Sequence, residues 1–215
     1  MRNLLCLILH TFITSGIFIY YPKIDVIVSS IFFSANKDKF YFKYNIVFIF
    51  FSECAYYLMF FLLLYYVTTV VVKFFNQKVF KHESIFILTF FIASIVIIQF
   101  FSKYYFGRSR PCNILEFGGS KQFTIACMTS NQCHSNCSFG SFHTSISIMI
   151  FISSFQSSDR IKKIIVTFVT FLAIIFSLIR IIQGKHFLSD VVISACITII
   201  IYYCVLHSHN ITIIK

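Results

Sequence analysis

The chain has 215 residues, of which 58% are hydrophobic and 12% charged, and a net charge of +11. Soluble domains are not this apolar, and several runs reach the roughly 20 apolar residues that a bilayer crossing takes, so composition excludes a soluble enzyme and predicts an all-α polytopic membrane domain. The basic residues are divided among short loops with no basic stripe, which argues against nucleic acid and for phosphorylated or anionic lipid as the partner.

In chain order the apolar runs predict a six-helix transmembrane bundle: Leu4–Tyr21, Ile46–Val72, Ser84–Phe106, Gly140–Gln156, Ile161–Ile182 and Phe187–Leu206. The first run follows Met1-Arg2 without a small-residue cleavage site, so it reads as a retained helix rather than a signal peptide. Its end carries Tyr20 and Tyr21, rings suited to the membrane interface. The mildly polar stretch Pro22–Asn45 is a candidate for an interfacial helix. Glu53 is ionisable inside the second run and either contacts the site or pairs with a lysine. The longest polar loop is Gly107–Phe139, and long loops are commonly functional. No repeat or low-complexity linker divides the chain, so residues 1–215 are expected to be one domain, with its core motifs in 103–190.

Three polar clusters interrupt this apolar background: Lys103-x6-Arg110-Pro111, Ser141-x-His143 and Arg180-x5-His186-x3-Asp190. Helix parity puts all three on one membrane face. The short basic loops Lys73–Lys81 and Arg160–Lys163 read as cytoplasmic, which leaves the clusters outside. Cys112, Cys127, Cys133 and Cys137 crowd the large loop on that outer face. Two disulfides in an oxidising compartment are the leading expectation, and zinc with His134 as a further ligand is the alternative.

The clusters have the composition that phosphate-ester hydrolysis needs. A phosphate monoester carries about two negative charges near neutral pH. Lys103, Arg110 and Arg180 supply cations, arginine in bidentate geometry, and Ser141 adds a hydroxyl donor at a helix start. His186 and Asp190 are four apart, so a carboxylate orients one imidazole nitrogen and bares the other as nucleophile. His143 is placed to protonate the leaving oxygen and then to activate water. Arg108, Lys185 and Phe142 are secondary candidates for contacts to the rest of the substrate. No metal ligand set is read on this face, and no cofactor or obligate protein partner is inferred.

These motifs resemble the type 2 phosphatidic acid phosphatase superfamily, whose pattern is K-x6-R-P, then P-S-G-H, then S-R-x5-H-x3-D. Lys103-x6-Arg110-Pro111 matches in full. In the third motif Ile179 replaces serine, and in the middle motif Gly140-Ser141-Phe142-His143 keeps serine and histidine but has Phe142 in place of glycine. The loop words Phe106–Pro111, Glu116–Gly119 and Cys137–Phe139 are similar to those of bacterial lipid A 4'-phosphatases. The resemblance implies a metal-independent lipid phosphatase of the bacterial inner membrane. Its site faces the periplasm, forms a phosphohistidine and removes the 4'-phosphate of lipid A. Undecaprenyl pyrophosphate, phosphatidylglycerophosphate and phosphatidate are the rival substrates. A non-catalytic lipid-binding relic, its pocket closed by Phe142, is the other class.

Overall fold

The computed structural model describes residues 2–37, 39–77, 81–154 and 161–209. Helix α1 spans Arg2–Tyr20, and Pro22 begins a break after which α2, Lys23–Ser30, leaves at 79°. Proline lacks an N–H and cannot extend a helix bond ladder, but it suits a helix start. A two-stranded hairpin follows, β1 (Phe33–Ser34) antiparallel to β2 (Lys39–Phe40), with Phe33 opposite Phe40. The stretch Pro22–Asn45, a candidate for an interfacial helix, therefore holds a short helix followed by a hairpin.

Helix α3 runs from Ile46 to Phe75, and Asn45 caps it by accepting from Val47 N (3.0 Å) and Phe48 N (3.4 Å). Helix α4 is continuous over Lys81–Thr89, Phe90–Ser102 and Lys103–Phe106; its middle segment is wound as a π-helix, a form concentrated at functional sites. Helix α5 is Phe142–Ser154, α6 is Ile161–Ile182 and α7 is Leu188–Ser208. The six helices read from hydropathy are all present.

Not all of them pass as spans by length and apolarity. Among the described residues three do, α3, the α4 run and α7, with α1 and α2 together a bent fourth. The parts of α5 and α6 whose side chains are described are apolar over Phe142–Ser153 and Thr170–Ile182. In the first turns of α5, His143, Thr144, Ser145 and Ser147 serve internal bonds. Residues 155–160, including Arg160, and Lys78 lie outside the described residues, so the two basic loops used for orientation are only partly seen. Lys73 of the first loop forms an ion pair with Glu83 (2.7 Å).

Packing centres on α5. Met59, Phe86, Phe90, Ile146 and Met149 form a core cluster against which Tyr56 and Phe142 pack. Hydroxyl pairs join the helices: Ser94 to Ser145 (2.7 Å) and Ser145 to Thr198 (2.8 Å) link α4, α5 and α7. Inside a membrane such bonds replace the hydrophobic drive that lipid cannot supply.

Candidate functional site

The polar end of the bundle encloses a cavity of about 250 Å³ lined by Lys103, Arg110, Phe142, His143, Arg180, Lys185 and His186, with Glu53, Tyr56, Gln99 and Asn136. Lys103 comes from the last turn of α4, Arg110 from the loop beyond it, His143 from the first turn of α5, and Arg180 from the last turn of α6. Lys185 and His186 come from the turn before α7. The three sequence clusters thus meet in one place, as parity predicted.

Two glycines allow these approaches. Gly140, with φ +87°, lies where a Cβ would press on Ile98 O (3.0 Å) and Ser102 Cβ (3.1 Å), so its absence lets the entry to α5 abut α4. Gly184, with φ +66°, lies flat against the Phe40 ring, and its carbonyl accepts from Cys112 N (3.0 Å). The hairpin that carries Phe40 therefore buttresses the turn that carries His186.

His186 is 2% exposed, and its Nδ1 lies 2.7 Å from the Ser138 carbonyl. A carbonyl only accepts, so Nδ1 holds the proton and Nε2 of the neutral ring keeps its lone pair. Burial holds the imidazole well below its ordinary 6.5, reinforced by Arg180, Arg110 and Lys103; the Ser138 bond opposes this. Lys185 is likewise lowered, first by burial and then by Arg180 and Arg110. The ring is neutral near pH 7, the state a nucleophile requires.

Four cations face the cavity against the single carboxylate of Glu53. Arg110 Nη2 donates to Asn136 Oδ1 (2.5 Å), and Arg180 Nη1 is weakly held by Gln183 Oε1 (3.3 Å) and Ser52 Oγ (3.4 Å). Arg110 Nε, Arg180 Nε and His143 Nε2 are buried with no hydrogen-bond partner in the protein. Buried polar nitrogens are seldom left so, and two guanidinium donors and an imidazole nitrogen around one cationic cavity fit a bound oxyanion. The Tyr56 hydroxyl lies 3.4 Å from His143 Nδ1, with ring centroids 4.4 Å apart. Phe142 lines the wall beside Tyr56, centroids 5.9 Å apart, so it narrows the cavity without closing it.

Four expectations change. Asp190 Oδ2 stands 3.9 Å from His186 Nδ1, too far for a hydrogen bond. The spacing of four faces one way only within a helix, and α7 starts at Leu188, after His186. Asp190 instead takes Phe187 N (2.8 Å) at the helix start, Ser138 Oγ (2.5 Å) and Arg108 Nη1 (2.7 Å). Ser141 is fully buried and caps α5, its Oγ accepting from Thr144 Oγ1 (2.9 Å) and, at 3.4 Å, Thr144 N. That leaves it outside the cavity lining.

Arg108 is 0% exposed and does not reach the cavity. It bonds Asp25 Oδ2 (2.8 Å), Ser189 Oγ (2.8 Å) and Thr124 O (2.9 Å), and stacks over Phe187 at 4.2 Å. Of the loop cysteines only Cys133 and Cys137 are bonded; Cys112 and Cys127 are free thiols. Among the described residues no group of three His, Cys, Asp or Glu could hold a metal ion, so the zinc alternative has no ligand set in that loop.

Sequence reasoning missed Tyr56, Gln99, Asn136 and Ser138 around the cavity, and Asp25 behind it. Asn136 carried one signal, its place between the paired cysteines. Asp25 carried another: an aspartate beside a hydrophobic run needs a partner.

The family model described as PAP2 superfamily matches residues 84–213, which include every polar cluster. A lipid A 4'-phosphatase of Francisella tularensis subsp. novicida (strain U112) is 33% identical over 102 residues, 45% of this chain and 44% of that protein. The Rhizobium leguminosarum protein of the same name is 26% identical over 118 residues, 55% and 51% of the two chains. The chain spans about half the length of the curated relatives it matches. The crystal structure of the first transmembrane PAP2 type phosphatidylglycerolphosphate phosphatase from Bacillus subtilis superposes with a TM-score of 0.63 over 100% of both chains, at 16% identity. At that identity the match establishes the membrane fold.

Proposed function

Because the chain belongs to the PAP2 superfamily, we propose that it is a metal-independent membrane lipid phosphatase that removes the 4'-phosphate of lipid A at the periplasmic face of a bacterial inner membrane. The observation that carries the chemistry is the Nδ1 bond of His186 to Ser138, which leaves Nε2 unprotonated in a cavity ringed by Lys103, Arg110, Arg180 and Lys185. The cations neutralise the phosphate oxygens. The Nε2 lone pair attacks phosphorus as the P–O bond to the lipid breaks, and His143 gives its proton to the departing oxygen. Water then loses a proton to His143 and attacks the phosphohistidine. The P–N bond breaks, phosphate leaves, and His186 returns to its neutral form.

The lipid A assignment rests on the names of the two relatives and on the aromatic wall of Phe142 and Tyr56, suited to stacking on a sugar ring. The orientation rests on the Cys133–Cys137 bond beside the cavity, since disulfides persist in oxidising compartments. The test is phosphate release by the purified protein, with chelator present, from lipid A, phosphatidylglycerophosphate, phosphatidate and undecaprenyl pyrophosphate. The expected result is release from lipid A, lost in His186→Ala, and lipid A short of one phosphate in cells carrying the gene. Release from another lipid alone replaces the substrate; release from none refutes the phosphatase reading.

A further inference from the structure

The neutral, Nδ1-protonated state of His186 depends on where the Ser138 carbonyl sits, and that carbonyl is held by groups far from the cavity. Ser138 has three polar atoms. Its N–H donates to the Arg108 carbonyl (2.8 Å), its hydroxyl donates to Asp190 Oδ2 (2.5 Å), and its carbonyl takes the His186 proton (2.7 Å). Arg108 grips Asp190 with Nη1 and Asp25 with Nη2. Asp25 in turn accepts from Ser189 N (2.9 Å) and Ser189 Oγ (2.5 Å) at the start of α7. The side chains of Arg108, Asp25 and Asp190 are at most 1% exposed.

We propose that Asp25 and Arg108 are positioning residues for the His186 nucleophile, acting through Ser138 and not through the substrate. The inference rests on the phosphohistidine reading above. A fold staple would need only charge pairing. Here the flat guanidinium uses both terminal nitrogens and Nε at once, stacked on Phe187, the residue next to His186. Displacing it moves both the backbone partner and the side-chain partner of Ser138.

Asp25→Asn is a sharp probe because the amide cannot fit. Asp25 Oδ1 faces the Ser189 N–H, and Oδ2 faces both Arg108 Nη2 and the Ser189 hydroxyl. Either flip of an asparagine sets its NH2 against a donor. The variant is expected to lower kcat by about 10- to 100-fold, as loss of groups that hold a reacting side chain in place does. KM and competitive inhibition by inorganic phosphate should stay within about twofold, since the cavity cations are untouched. Arg108→Lys should not rescue, because a point charge cannot bridge two carboxylates.

Ser138→Ala removes only the hydroxyl link and serves as the milder variant. The double variant Asp25→Asn/Ser138→Ala should be no slower than Asp25→Asn alone, because both act on one chain of contacts. Nitrogen-15 spectra of the histidine ring, assigned against His186→Ala, should show one Nδ1-protonated tautomer in the wild type and a mixture in Asp25→Asn. The proposal is overturned if Asp25→Asn keeps the wild-type kcat per phosphate-binding site, if the two single effects multiply, or if the tautomer is unchanged. A wild type without phosphatase activity sinks the functional reading instead, and the tautomer measurement still decides this one.

Discussion

Gly184→Ala should disable the site from outside it. The native φ of +66° costs an L-residue roughly 1–2 kcal/mol. The added Cβ would also fall on the Phe40 ring, 2.6 Å from Cε2 and Cγ. That ring cannot retreat, being 2% exposed and wedged between Phe33 (5.5 Å between centroids) and Phe117 (5.3 Å). Overpacking of this kind costs about 1–3 kcal/mol, so the two effects together come to about 2–5 kcal/mol. The turn relieves them by lifting off the hairpin, which carries Lys185 and His186 out of register with the cavity cations. Thermal unfolding should shift downward, and kcat for phosphate release should fall at least about tenfold. Gly184→Asn separates the causes, because asparagine tolerates the left-handed backbone but still bears a Cβ; it should remain impaired. Phe40→Leu in the Gly184→Ala background should recover part of the rate. Wild-type stability and kcat in Gly184→Ala would refute the idea that the hairpin fixes the nucleophile turn.

Two further predictions concern the cavity rim. His186, held below 6.5 by burial and cations, should remain neutral as pH falls through 6.5, where an exposed imidazole is half protonated. The unfolded chain takes up that proton first, so His186 makes stability decrease as pH drops below 6.5; ring nitrogen shifts that titrate at or above 6.5 would contradict this. In intact cells a membrane-impermeant thiol reagent should reach Cys133 and Cys137 only after reduction and Cys112 without it. Reduction should also slow turnover, because Asn136 and Ser138 flank Cys137. Labelling confined to broken cells would put the loop in the cytoplasm and overturn the orientation.

What the sequence made legible was whatever follows from runs and registers. The helices followed from apolar length, and the meeting of Lys103, Arg110, His143, Arg180 and His186 followed from helix parity and motif spacing. The divergence of Arg108 from Arg110 did not follow. With only Ser109 between them, the two arginines would share a side of an extended segment; the irregular loop after the left-handed Gly107 instead sends Arg108 to Asp190 and Arg110 to the cavity, and no local signal foretells that. The Asp190 role was misjudged because spacing of four means one face only inside a helix, and the helix begins between the two residues. The partners of Asp25 were illegible for a different reason: they are 83 and 164 positions away.

Those separations also set an order of assembly. At roughly 5–20 residues per second, synthesis takes about 8–33 s to pass from Asp25 to Ser189. For about the first half of that interval Asp25, in the first turn of α2 just past the bend from α1, has neither partner, and until Ser189 is made it has only Arg108. The elbow can close on α7 only after the last helix begins to emerge, so the amino-terminal segment docks late although it is made first. A chain stalled before His186 would hold Lys103, Arg110, His143 and Arg180 but only Arg108 to seat the elbow, and the nascent protein acquires its nucleophile and the other half of its lock almost together.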